Sequence, residues 1–171
     1  TGIQFSGNIA NATVLGPSSG TQVVFNGTTA GINASASVNA NLTFQNLDVS
    51  STYGTGTGLH VSGVNIEIAN VVADGRSDGV RASSTTNLDI RRLQARSAAL
   101  RGLFLEAPSA PLFLEELTLE DCATGLSISN FGPPTTPERF AITRSVAGSV
   151  GTIASLADSD TGIQLSNVRD I

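Results

Sequence analysis

The chain has one cysteine, one tyrosine, one histidine, and no tryptophan or methionine. A lone thiol, Cys122, forms no intrachain disulfide and no cysteine-based zinc site. With His60 the only imidazole, a His/Cys metal cluster is excluded as well, and neither a metal nor a cofactor is expected. Cys122 is read as an inert free thiol, with an interchain link as the alternative. Aromatic residues make up only 5%, so the core must be built from Val, Ile, Leu and Ala. Lysine is also missing: all nine cations are arginine, and the net charge is −5. The densest basic cluster, Arg91-Arg92 with Arg96, is interleaved with acids, so no stripe tracks phosphate and nucleic acid is not an expected partner. No apolar run approaches the length of a membrane-spanning helix. Low charge combined with 40% hydrophobic content excludes the disordered class. Without an initiating methionine, residues 1–171 are expected to be one domain-sized segment of a longer chain.

What the sequence does have is a repeat. A Gly-apolar-x-apolar pattern occurs as GIQFS at 2, GINAS at 31, GLHVS at 58, GVRAS at 79, GLFLE at 102, GLSIS at 125 and GIQLS at 162. Six of the seven copies end in Ser, and the exception is Glu106. Each copy reads as a short strand of period two. Ile3, Ile32, Leu59, Val80, Leu103, Leu126 and Ile163 form one inward column, and Phe5, Ala34, Val61, Ala82, Leu105, Ile128 and Leu165 the next. The leading glycine is expected to mark a tight turn, often one needing positive φ.

A second segment follows the first, as NLTFQNLDVSS at 41, NIEIANVVADG at 65, NLDIRRLQARS at 87, PLFLEELTLED at 111 and the degenerate RFAITRSVAGS at 139. Positions two and four are apolar, then seven and nine. A flat strand cannot place all four on one face, so a two-residue bend at positions five and six is expected to reset the parity. Three short strands in each repeat of roughly 21 to 29 residues predict an all-β fold, a right-handed parallel β-helix of about seven coils. Hexapeptide periods and 3.6-residue apolar patterns, which would indicate other solenoids, are absent.

In its GΦxΦS and N-Φ-x-Φ-x-N segments the chain resembles the pectate-lyase-like β-helix superfamily. That resemblance implies an asparagine ladder at the bend, matched by Asn46 and Asn70 and broken at Arg92, Glu116 and Arg144. It also implies that any active site would lie on the outer face of one sheet. The only constellation of catalytic residue types there is His60, Arg81 and Phe104 on consecutive rungs, with Asp78 and Arg101 just before two of the strands. His60, Arg81, Asp78 and Arg101 are therefore the catalytic candidates: His60 as general base, the arginine and carboxylate for a uronate. Tyr53, His60, Arg81 and Phe104 are the ligand-binding candidates, the two rings as stacking platforms. The motifs of polygalacturonases and the acid cluster of the lyase calcium site are missing, and the flanking turns are short. Asp158-Ser-Asp160 reads as solvated acids rather than half a calcium loop.

The outward charged files alternate in sign between neighbouring repeats, which predicts ion pairs between rungs. Asn11, Asn26, Asn33 and Asn41 head Asn-x-Ser/Thr sequons and are the candidate glycan acceptors. Together these features favour a non-catalytic structural or adhesive module of an extracellular, cell-surface or appendage protein. Neighbouring repeats or a second copy stacked end to end are the expected partners, then polysaccharide. The alternatives are a carbohydrate-active enzyme of the lyase, hydrolase or epimerase type, and a glycan-binding module.

Overall fold

The computed structural model describes residues 2–18, 23–24, 29–35, 39–130, 154–155 and 161–166. Among them there are strands and turns and no helix. The strands are β1 (Ile3–Gln4), β2 (Ile9–Leu15), β3 (Val23–Val24), β4 (Ala30–Ala34), β5 (Asn39–Asp48), β6 (Thr57–Val72), β7 (Asp78–Arg96), β8 (Arg101–Glu106), β9 (Ser109–Glu115), β10 (Leu117–Glu120), β11 (Thr124–Ser129), β12 (Ala154–Ser155) and β13 (Thr161–Ser166).

Every pairing is parallel. The Gly-apolar repeats stack as one sheet in the order β1-β4-β6-β7-β8-β11-β13. Their register runs Ile3, Ile32, Leu59, Val80, Leu103, Leu126, Ile163, the column the repeat predicts. The second segments pair likewise, Leu42 with Ile66 with Leu88 with Leu112. The fold is a parallel β-helix. It closes about four turns, fewer than the seven expected from counting first strands. The copy at 139, Asp158 and Asp160 lie outside the described residues.

The core is aliphatic, as the shortage of aromatics requires. Ile32, Leu59, Val80 and Leu103 are fully buried, as are Leu47, Ile68, Ile90 and Leu119 on the other walls. Phe44 is the one aromatic among the largest fully buried side chains, and it meets Phe5 edge-on at 6.3 Å between centroids. Burying each large aliphatic side chain contributes about 1.5–3 kcal/mol.

The parity reset takes one residue rather than two. Asn46, Asn70, Arg92 and Glu116 each hold φ between 53° and 56°, while position five stays in its strand. A single left-handed residue between extended neighbours turns the chain and switches which side chains face inward. A second file of such corners is Asn11, Asn41, Asn65 and Asn87. Asparagine adopts this conformation at low cost. Each amide also donates to the rung before it: Asn41 to Asn11 at 2.7 Å, Asn65 to Asn41 and Asn87 to Asn65 at 2.8 Å. The expected ladder at the bend is there too, with Asn70 donating to Asn46 at 2.8 Å. The four-rung ladder stops at Pro111, whose ring fixes φ near −65° and forbids the corner. There two residues, Ala110 and Pro111, do what Asn87 does alone, and the register shifts.

The repeat glycines differ from expectation. Gly58, Gly79 and Gly102 do not have positive φ. They are glycine because the stack leaves no room: a Cβ on Gly79 would lie 2.5 Å from the Gly102 carbonyl oxygen and 2.6 Å from the Ala95 Cβ. Arg76 is a further surprise. It is fully buried in the turn between β6 and β7, donating to the carbonyls of Val49 at 2.6 Å and Ser50 at 3.0 Å. Burial lowers its pKa, and nearby Asp48 opposes that shift.

Candidate functional site

On the outer face of the first sheet, the middle position of each strand and the residue two further on form parallel files. The register places His60 beside Arg81 and Arg81 beside Phe104, with Ser83 beside Glu106. Long side chains reach diagonally from one file to the other on the next rung. His60 Nε2 lies 3.1 Å from Ser83 Oγ. One rung on, the same diagonal carries Arg81 Nη2 to Glu106 Oε2 at 2.5 Å. Ser83 Oγ also lies 3.5 Å from Glu106 Oε2, so the four residues form one network.

That network lines a groove of about 500 Å³, which also takes in Ser35, Ser62, Ser84 and Asn130. Burial holds the His60 imidazole below its ordinary 6.5, and the Arg81 charge adds to the effect, against weaker pulls from Glu106 and Asp78. The Arg81 hydrogen bond holds the Glu106 carboxyl below its usual range. His60 is therefore neutral and Glu106 ionised at pH 7. The Arg81 Nε is buried without an acceptor among the described residues.

Asp78 and Arg101 pair with each other. The guanidinium holds the carboxylate bidentately, at 2.7 and 3.0 Å, and Asp78 is buried. The same guanidinium lies over the Phe104 ring at 3.6 Å from its centroid, with Arg81 at 5.3 Å. Phe104 is itself buried and does not line the groove. Tyr53 is exposed in the turn between β5 and β6, and it does not line the groove either. Of the sequence candidates, the structure thus joins His60 with Arg81, and Asp78 with Arg101 and Phe104, and leaves Tyr53 apart.

Of the four network members, sequence reasoning missed Ser83, which looks like any other serine of its file, and Glu106. The signal for Glu106 is that it replaces Ser at the end of the first segment. The other charges also pair between rungs, Arg96 with Glu120 at 3.2 Å and Arg91 with Glu115 at 3.9 Å, and Arg91 also takes Asp89 two residues back. Hydrogen bonding to Asp89 raises the Arg91 pKa. Such exposed pairs contribute about 0–1 kcal/mol each.

Among the sequons, Asn11 and Asn41 are ladder members. Asn33 accepts hydrogen bonds from the Ser35 hydroxyl at 2.7 Å and its amide at 3.2 Å, and Asn26 lies outside the described residues. Cys122 is buried with its thiol donating to the Ala95 carbonyl at 3.4 Å, and burial pushes its pKa up, which disfavours the reactive thiolate. No group of His, Cys, Asp and Glu fit for a metal occurs among the described residues. Comparison of the chain with protein-family models, curated proteins and solved structures finds no match.

Proposed function

We propose that the chain is a structural and adhesive β-helix module of an extracellular, cell-surface or appendage protein. The reading rests on one observation: the charges expected to do chemistry are spent on one another. Arg81 is engaged by Glu106 and Asp78 by Arg101, each across neighbouring rungs. A uronate arriving at Arg81 would meet a carboxylate already in place. Stacked parallel strands suit a spacer. At about 4.8 Å per rung, the seven strands of the first sheet span about 29 Å. Kinship with the pectate-lyase-like superfamily belongs to the same proposal, supported by the in-register repeats and the asparagine corners. The groove beside His60 supports glycan binding without turnover as a second reading.

The test is an activity screen on uronic-acid polysaccharides, with His60→Ala and Arg81→Ala as controls. No turnover by the intact chain is expected. Turnover that either substitution abolishes would overturn the structural reading in favour of a carbohydrate-active enzyme.

A further inference from the structure

We propose that Ser83 is a nucleophile activated by His60, able to take the acyl group of a small carboxylic ester. The two side chains stand in the relation that nucleophilic catalysis needs, with base and hydroxyl 3.1 Å apart. The pairing of β6 with β7 is irregular beside this residue. Between Val61 and Gly63 the partner strand carries two residues, Ser83 and Ser84, against one, and Ser84 takes φ 50°. A bulge of this kind re-aims the side chain beside it. Ser83 is one of the residues that line the groove of about 500 Å³. The single hydroxyl hydrogen has two acceptors in reach, Glu106 Oε2 at 3.5 Å and the closer His60 Nε2 at 3.1 Å, and attack uses the second. The spacer role requires none of this, so the inference stands apart from it.

The chemistry balances with water as the only co-reactant. The Ser83 Oγ–H proton passes to His60 Nε2 as Oγ bonds to the ester carbonyl carbon. His60 returns that proton to the departing alkoxide, leaving acyl-Ser83 and a free alcohol. Water, deprotonated by His60, then attacks the acyl carbon. The carboxylic acid leaves, and the proton goes back to Ser83 Oγ.

The experiment uses a fluorophosphonate probe, read by peptide mass spectrometry on the intact chain. Labelling of Ser83 is expected, absent in Ser83→Ala and unchanged in Ser129→Ala, which lies in the same file. Labelling should slow by about 100-fold or more in His60→Gln, the range for loss of a general base. In the unsubstituted protein the labelling rate should fall as acid protonates His60. That profile decides the matter should His60→Gln fail to fold. An unlabelled Ser83, a rate equal in His60→Gln, or a pH-independent rate overturns the proposal.

Discussion

Two files of turn residues look alike in the sequence and have opposite causes. Gly58, Gly79 and Gly102 recur because the neighbouring rung presses on them, and their backbone is ordinary. Asn46, Asn70, Arg92 and Glu116 sit in the left-handed region, and all but the half-buried Asn46 are open to solvent. Crowding tolerates one residue type, so the first file is invariant through the repeats. Conformational strain has only a moderate cost, so the second file drifts from Asn to Arg to Glu. In a solenoid, an unvarying position therefore reports contact, and a varying corner reports dihedral angle.

Both causes coincide at Gly75, as they do at Gly63: Gly75 has φ 65° and a Cβ position 2.1 Å from the Ser51 carbonyl oxygen. Gly75→Ala should have the largest effect. Left-handed strain of about 1–2 kcal/mol adds to overpacking of about 1–3 kcal/mol, read as a lower urea midpoint. Gly79→Ala carries only the crowding and should cost about 1–3 kcal/mol. If the two cost the same in urea titrations, the separation of causes fails.

Asn65→Ala should cost about 1–2 kcal/mol, because it cuts the four-rung ladder in the middle and puts alanine in the left-handed region. Arg92→Asn runs the other way. It eases the corner and extends the Asn46–Asn70 ladder by a rung, so a gain of about 0.5–1 kcal/mol is expected in the same titration.

The smallest effect is that of pH. Both His60 and Glu106 have folded pKa values below their ordinary ones. In each window the unfolded chain binds the proton more readily, so stability falls with acid. The His60 part is lost as pH drops through and below 6.5, and the Glu106 part through and below 4.5. In thermal melts His60→Gln should flatten the upper window alone, and Glu106→Gln the lower one.

Much of this architecture could be read from periodicity, because columns of apolar residues two apart record which face is buried. The inward register and the alternating ion pairs follow from spacing alone. The glycine file misled because sequence shows that a side chain is unwelcome without showing why. A seventh first strand does not make a seventh coil, since a coil needs all its walls. Glu106 stood out only as a break in a serine file, and its partner Arg81 lies diagonally, a relation that one-dimensional alignment hides. Arg76 left no periodic trace at all: a cation held by turn carbonyls obeys the geometry of one corner. The Phe104 ring looked like a platform because its position faces outward. Two guanidinium groups reach over it, and no strand pattern encodes their reach.

The ladder from Asn87 to Asn11 has a direction. Every amide points its N–H the same way, so the dipoles add head to tail and each bond polarises the next. One flank of the cylinder thus carries a line of aligned polarity. Among the described residues it ends at the Asn87 amide carbonyl, because Pro111 supplies no side-chain donor to continue it. The two ends of that line are chemically unlike, and a molecule lying along the flank would meet a surface with a sense as well as a shape.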